Sequence, residues 1–232
     1  MAQNEWQDRT RLLIGEDGLK KLGDAHVLVV GLGGVGGYVV EALVRAGVGE
    51  LTLVDGDFFA FTNLNRQILA TQDTIGKSKA VVAKERALQI NPQAKIHEKH
   101  CFVTKDNLGE FDFEKFDVIV DAVDDVGAKV ELACLAQDLN KNIVSSMGSG
   151  NKLQPFFKVA DIYKTTNCPL ARVMRKKLKE RGVRKLTVVY SEELPIETNC
   201  NVVGSISYAP AVAGLTVAYQ VCQFLLGQIT LG

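Results

Sequence analysis

The chain has 232 residues, of which 47% are hydrophobic and 23% charged, which is typical of a packed soluble protein with one large α/β domain or two small ones. Lysine plus arginine and aspartate plus glutamate each number 27, which excludes nucleic-acid binding by bulk charge alone. The five cysteines form no Cys-x-x-Cys pair, which predicts reduced thiols in the cytosol and no four-cysteine zinc site. The N-terminus lacks the basic and apolar regions of a secretory signal, so a cytoplasmic location is expected.

A short amphipathic arm near residues 9–22, with one or two helical turns, precedes the first predicted strand. Strands and helices then alternate, which predicts an α/β protein with a Rossmann-like, doubly wound, mainly parallel sheet, extended by antiparallel strands from the C-terminal half. We predict one domain with an arm (1–25), a nucleotide-binding core (26–150) and substrate-side strands and helices (151–232). The predicted strands lie near residues 26–30, 50–54, 95–101, 116–123, 142–147, 155–159 and 185–190, and the helices near 35–46, 76–90, 129–140 and 169–181.

A glycine-rich turn follows the first predicted strand. Gly31 permits the tight turn, Gly33 lets backbone approach a phosphate, and Gly36 lets the next helix pack closely on the strand. Gly34 belongs to the same run, and the helix N-terminus behind it offers free N–H groups to an anion. This spacing predicts a nucleotide-binding β-α-β unit.

Asp55 follows the second predicted strand, roughly 20 residues beyond the glycines. A carboxylate at this position can accept hydrogen bonds from both ribose hydroxyls of a bound nucleotide. The glycines and Asp55 suit a nicotinamide dinucleotide as well as ATP, so they leave the choice of nucleotide open.

Further side chains favour ATP over a nicotinamide cofactor. They stand after the second strand, at the start of the next helix and after the fourth strand, and they are Asn63, Asn65, Arg66, Lys79 and Asp124. Because the carboxyl ends of parallel strands meet at one edge of a sheet, we expect them in one crevice. Two cations and a carboxylate suit a triphosphate with its magnesium, whereas hydride transfer does not need them.

The last predicted helix, near residues 209–226, carries no charged side chain. Its length and composition fit a membrane span, but Pro210, Gly214 and Gln220 lie within it and no basic residue follows it. We predict that it covers one face of the sheet, and no stable membrane span is expected.

The motifs GLGGVGG, LVDGD, NLNRQ, IGKSKA and VDAVDD, in this order and spacing, resemble those of the ubiquitin-activating-enzyme-like adenylyltransferase superfamily. The resemblance covers about residues 11–150 and implies ATP-dependent adenylation of a carboxylate. It also implies a role for each matching residue. Gly31, Gly33, Gly34 and Gly36 form the floor of the ATP site, Asp55 holds the ribose, Arg66 and Lys79 hold phosphates, Asn63 and Asn65 support the site, and Asp124 places Mg²⁺.

The resemblance further implies a homodimer. Arg11 resembles an N-terminal arginine that, in members of the superfamily, extends in trans into the ATP site of the partner subunit. Some relatives depend on a monovalent cation, K⁺ or Na⁺, and some have a cysteine-desulfurase sulfur-transfer partner. Zinc is not expected, because the two Cys-x-x-Cys pairs that many sulfur-carrier activators carry are missing here.

In place of such Cys-x-x-Cys pairs, the second half contains the segments 161–171, 186–191 and 204–214 and the basic helix near 169–181. In these segments it resembles the compact branch of the superfamily that acts on tRNA. That branch activates the threonyl carboxylate of threonylcarbamoyladenosine, beside the anticodon, so that the side chain closes into a cyclic form with loss of water. The helix near 169–181 is expected to turn Leu170, Met174 and Leu178 inward and its basic residues toward water. The basic face is either an ordinary solvated surface or a tRNA phosphate contact made by Arg172, Arg175, Lys176 and Lys179.

Cys200, in a polar loop before the last helix, is the candidate reactive thiol, with Cys168 as the second candidate. Cys134 and Cys222 are predicted to lie in the core and Cys101 at the end of a strand. Cyclisation of an acyl-adenylate needs no thiol, so an inert loop cysteine is the alternative interpretation of Cys200.

Two other functions remain open at this point. One is the activation of a small sulfur-carrier protein that ends in a glycine carboxylate. The other is a Rossmann-type binding module that senses NAD or ATP without catalysing a reaction.

Overall fold

The central strands are short apolar runs that bury both of their faces. In the computed structural model, which describes residues 5–199 and 202–227, Val27 and Val29 pack against one layer of helices. Leu28 and Val30 pack against the opposite layer. Because side chains alternate along a strand, such a run needs helices on both faces of the sheet.

The strands of the described part of the chain form one seven-stranded sheet. They are β1 (His26–Val30), β2 (Glu50–Val54), β3 (Lys95–Lys99), β4 (Val118–Asp121), β5 (Asn142–Ser146), β6 (Lys158–Asp161) and β7 (Thr187–Tyr190). Their spatial order is β3-β2-β1-β4-β5-β7-β6, and all neighbours are parallel except β6 and β7. This confirms the predicted α/β sheet, mainly parallel with an antiparallel pair at one edge.

Within the residues that the structure describes, six α-helices cover the two faces. They are α1 (Asp8–Asp24), α2 (Gly36–Ala46), α3 (Lys79–Ile90), α4 (Val126–Asp138), α5 (Pro169–Glu180) and α6 (Tyr208–Leu226). α1 and α3 pack beside α2 and α6 on one face, whereas α4 and α5 pack together on the other. The chain order reverses beside β1, which lies between β2 and β4, and this reversal opens a crevice at the carboxyl ends of the strands.

Several boundaries differ from the sequence prediction. The helices expected near 76–90 and 129–140 are Lys79–Ile90 and Val126–Asp138, and the strand expected near 116–123 is Val118–Asp121. The N-terminal arm has 17 helical residues rather than one or two turns, interrupted at Gly15, where φ is 68° and ψ is −177°. The strand predicted near 155–159 begins later, because its antiparallel register with β7 pairs Lys158 with Tyr190 and Asp161 with Thr187. β7 itself is parallel to β5, so β6 is the antiparallel strand of the sheet.

α6 covers one face of the sheet, as predicted. It packs on α1 and α2 and on four strands, β4, β5, β6 and β7, and Gln220 within it is buried. Gly214 sits so close to α2 that a Cβ atom there would lie 2.4 Å from the Val35 carbonyl oxygen. By length and composition alone, α6 would also pass as a membrane-spanning helix.

Candidate nucleotide site

The turn after β1 needs its glycines for different reasons. Gly31 has φ +89°, and a Cβ atom there would lie 2.6 Å from the Ala122 carbonyl oxygen. At Gly36 a Cβ would lie 1.7 Å from the carbonyl oxygen of Gly31, which confirms the predicted close packing of α2 on the strand. Gly33 faces open space apart from Gln67, so backbone there is free to approach a ligand. Gly34 touches Pro210 of α6 at the rim.

Asp55 is hydrogen-bonded to this turn. One carboxylate oxygen accepts the backbone N–H of Leu32 at 2.7 Å, and the other accepts that of Asp57 at 2.8 Å. These bonds fix the carboxylate at the end of β2, and its remaining lone pairs are available to hydroxyl donors.

Arg66 is held by the loop that carries it. One guanidinium nitrogen donates to the Thr62 carbonyl oxygen at 2.8 Å and to the Asn65 side-chain oxygen at 2.9 Å. The Asn65 amide also donates to the carbonyl oxygen of Ser205 at 3.0 Å, so it joins this loop to the segment before α6. Asn65 therefore lies behind Arg66 and not among the lining residues, whereas Asn63 lines the site and accepts the Ala60 N–H.

Lys79 is buried at the start of α3 and pairs with Asp57, a residue that the sequence analysis did not assign. The ammonium lies 2.9 Å from the Asp57 carboxylate, and the Lys79 N–H donates to the Asp57 carbonyl oxygen at 3.0 Å. A second acid two residues after the ribose acid, in LVDGD, was the available signal.

The two acids after β4 have different environments. Asp125 caps α4, because its carboxylate accepts the Ala128 N–H at 2.7 Å. Asp124 is exposed, and no hydrogen bond or ion pair within residues 5–199 and 202–227 occupies its carboxylate. A free carboxylate of this kind is a ligand that Mg²⁺ accepts, so the donor set fits the implied metal.

These residues line one cleft of about 660 Å³ at the carboxyl edge of the sheet, called here the carboxyl-edge cleft. It brings together most of the predicted site: Gly31, Gly33, Gly34, Asp55, Asn63, Arg66, Lys79 and Asp124. The side-chain oxygen of Gln67, which also lines the cleft, is buried without a hydrogen-bond partner among the described residues. Because a buried acceptor without a donor is costly, this orphan favours a ligand that donates a hydrogen bond.

A fully buried ion pair lies under the floor of the cleft, and the sequence analysis missed it. The Lys129 ammonium contacts both carboxylate oxygens of Asp121 at 3.1 Å and donates to the Ser146 carbonyl oxygen at 2.7 Å. Ser145 donates to the same carboxylate. This buried Lys129 network joins α4 to the ends of β4 and β5, next to Asp124 and to the cleft-lining Ser146 and Met147.

The remaining predictions have mixed outcomes. Arg175 does not point freely to water: it is partly buried, and its guanidinium donates to the carbonyl and hydroxyl oxygens of Thr165. Arg172, Lys176 and Lys179 are exposed. Arg11 lies outside the cleft of its own chain and pairs with Asp8 and, at 2.6 Å, with Glu16.

Of the cysteines, Cys200 lies outside the described residues. Cys168, the second candidate for a reactive thiol, is buried as the N-cap of α5, where its sulfur accepts the Ala171 N–H. Cys134 and Cys222, which were predicted in the core, are only partly buried and pack against its apolar side chains. This burial raises the pKa of the Cys222 thiol to about 11 and also raises the pKa of Cys134.

Comparison with known proteins shows the same fold at nearly full length. A tRNA threonylcarbamoyladenosine dehydratase of Bacillus subtilis (strain 168) is 37% identical, over 95% of this chain and 94% of that protein. The protein of that name from Escherichia coli (strain K12) is 39% identical, over 77% of this chain and 68% of its own length. A crystal structure of the E. coli dehydratase in complex with ATP superimposes with a TM-score of 0.91 at 32% identity, over 97% of this chain and 95% of that one. Residues 7–231 match the ThiF family. Together with the similarities above, this match shows that the chain belongs to the ThiF family, as the sequence motifs predicted.

Proposed function

We propose that the protein is an ATP-dependent dehydratase that adenylates the threonyl carboxylate of threonylcarbamoyladenosine in tRNA and promotes its cyclisation. The observation that carries the proposal is the convergence of Asp55, Arg66, Lys79 and Asp124 on the carboxyl-edge cleft. The near full-length likeness to dehydratases of B. subtilis and E. coli supports the tRNA substrate over a sulfur-carrier protein.

The chemistry explains why the cleft needs cations. A carboxylate is a poor electrophile, because an attacking group would have to expel oxide. Attack of a carboxylate oxygen on the α-phosphorus of ATP instead forms an acyl-adenylate and releases pyrophosphate. The acyl carbon is then attacked from within the same modified side chain, and AMP leaves with the former carboxylate oxygen.

In this proposal the protein positions two anions and neutralises charge as it develops. Gly33 gives a phosphate access to backbone N–H groups, Asp55 accepts the ribose hydroxyls, and Arg66 and Lys79 contact phosphate oxygens. Asp57 holds the Lys79 ammonium in place. Asp124 would hold Mg²⁺, which neutralises phosphate charge when bound.

Two further parts of the proposal concern assembly. In a homodimer, Arg11 would leave Asp8 and Glu16 and contribute its charge to the partner's ATP site. The exposed Arg172, Lys176 and Lys179 would contact tRNA phosphates, and a cytoplasmic location follows from that substrate.

The decisive experiment follows pyrophosphate and AMP with ATP alone, with unmodified tRNA, with threonylcarbamoylated tRNA and with a small carrier protein ending in glycine. We expect that, of these additions, only threonylcarbamoylated tRNA increases the release of pyrophosphate and AMP. Stimulation by the carrier alone would replace the tRNA proposal with the sulfur-carrier alternative. No turnover in any arm would favour the non-catalytic binding module.

A further inference from the structure

Three metal-ligating side chains meet at the opposite edge of the sheet from the carboxyl-edge cleft. His26 begins β1, Glu50 begins β2 and His97 lies in the middle of β3. The register pairs His26 with Glu50, and Thr52 with His97. All three therefore stand on one face of three adjacent strands, and we call them the amino-edge cluster.

Their ligand atoms are close enough to share one ion. His97 Nε2 lies 2.8 Å from Glu50 Oε1, and His26 Nδ1 lies 3.6 Å from the same oxygen. The three ligand atoms all lie within 4.8 Å of one another. A tetrahedral ion with bonds of about 2.0 Å separates its ligand atoms by about 3.3 Å, so small side-chain adjustments suffice.

The His26 ring is already oriented for this role. Its Nε2 is hydrogen-bonded to the hydroxyl of the buried Thr52 at 2.9 Å, and Phe116 packs edge-on against the ring, 4.8 Å between centroids. With a metal bound, Nε2–H would donate to the Thr52 hydroxyl, and Nδ1, which lies on the Glu50 side, would be the ligand atom. Metal-bound histidines are held in the same way, by a hydrogen bond at their other ring nitrogen.

Access and charge are compatible with an ion. The His97 side chain is 55% exposed, which leaves a side open for entry and for a water ligand. Lys95 is the competing cation, with its ammonium 3.8 Å from Glu50 Oε2. It approaches the oxygen that the two histidines do not use, and its side chain is 75% exposed, so it can move into solvent.

We propose that His26, Glu50 and His97 bind one divalent transition-metal ion, with zinc as the preferred species. Two imidazoles and one carboxylate form a donor set that zinc accepts, and it is unrelated to the four-cysteine site that the sequence excludes. Because the cluster joins three strands at the edge remote from the cleft, the ion acts as a structural clamp between β1, β2 and β3.

The test uses the full chain, stripped with a chelator and with its thiols alkylated so that cysteines do not bind the metal. Zinc is titrated by calorimetry and cobalt by visible absorption, and Tm is recorded with and without zinc. We expect one zinc per chain, a tetrahedral cobalt spectrum and a higher Tm. His97→Gln and Glu50→Gln should each weaken zinc binding by at least about tenfold.

His100→Gln is the matched control, because His100 is the third histidine of the chain and bonds to Ser78 away from the cluster. Asp124→Asn controls for binding at the proposed magnesium position. Circular dichroism of each metal-free variant distinguishes lost binding from lost folding. The proposal is overturned if all four variants bind zinc with equal affinity. It is also overturned if the wild type shows no saturable binding at zinc concentrations up to about 100 µM, which is far above the dissociation constants of natural zinc sites.

Discussion

The first and second halves of the chain contribute to the carboxyl-edge cleft in different ways. Residues 26–150 supply its charged side chains, and all but one stand just after a strand or at the start of a helix. The exception is Arg66, which lies in the loop between β2 and α3. The second half supplies mostly apolar and small residues, among them Leu170, Val203, Ser205 and Pro210. The ends of the parallel strands therefore largely determine where the charged side chains lie. The lining from the second half depends instead on contacts between residues far apart in the chain, such as that of Asn65 with Ser205.

Two ion pairs, one from each half, differ in their burial. Lys129 and Asp121 in the first half are fully buried, whereas Lys158 and Glu192 in the second are largely exposed. A buried pair is costly to desolvate, and it persists here where it fixes the ends of β4 and β5. Geometry under the cleft, rather than net stabilisation, is what the pair provides.

The largest expected effect follows from breaking that pair. Lys129→Met leaves the Asp121 carboxylate buried without its cation, so the free energy of unfolding should fall by about 3–5 kcal/mol. Urea unfolding measures the loss. Lys158→Met is the matched control and should lower the free energy of unfolding far less, because exposed ion pairs contribute little. Equal losses in the two variants would contradict the contrast between the halves.

The next largest effect concerns the cleft cations. Arg66→Ala and Lys79→Ala should each lower kcat/KM for adenylation by roughly 100-fold, or about 2.7 kcal/mol of transition-state stabilisation. Pyrophosphate release with threonylcarbamoylated tRNA is the measurement. Lys77→Ala removes an exposed cation two residues before Lys79 and should leave the rate unchanged. A similar loss of kcat/KM in Lys77→Ala would mean that the effect comes from the net charge of the protein and not from contacts within the cleft.

Much of the first half could be predicted from the sequence, for reasons the structure makes clear. β1 and β2 occupy the predicted residues, since apolar runs bounded by glycine and acid leave little choice of boundary. Gly31, Asp55, Arg66 and Lys79 could be placed together because parallel strands end at one edge.

The residues that escaped prediction depend on partners distant in the chain. The sequence predicts Lys129 only as the first residue of a helix, and its burial depends on its contacts with Asp121 and Ser146. Arg175 lies in a run of basic residues, and its bond to Thr165 arises from the turn before α5. The start of β6 was misplaced because its register is set by β7.

The basic surface of α5 gives an effect of intermediate size. Reversing the exposed Arg172, Lys176 and Lys179 to glutamate should weaken tRNA binding and flatten its dependence on salt, by about one unit of slope per lost phosphate contact. Arg175 is left unchanged, because its loss would disturb Thr165. Binding is measured over a series of salt concentrations, with Lys20→Glu on α1 as the control. A slope equal to that of the wild type would identify an ordinary solvated helix face.

The smallest expected effect concerns two ion pairs and their contribution to the free energy of unfolding at acid pH. Burial raises the pKa of Glu41, but hydrogen bonds from Arg86 and Arg45 outweigh it and hold that pKa below its ordinary value of 4.5. Glu41 joins α2 to α3 within the first half, whereas Glu131 joins α4 to Arg181 in the second. A lowered carboxyl pKa contributes stability that is present above the unfolded-state pKa and is lost as pH falls through the folded-state value.

Glu41→Gln should therefore lower the free energy of unfolding by roughly 0.5–1 kcal/mol at pH 7, and the difference from the wild type should vanish in acid below the lowered pKa. Glu131→Gln should show the same pH dependence with a smaller amplitude, because Glu131 accepts from one arginine and Glu41 from two. Urea unfolding at several pH values measures both. A loss that grows as the pH falls would contradict the assigned direction of the shift, and a larger loss at Glu131 would show that the contact between the halves is the stronger of the two.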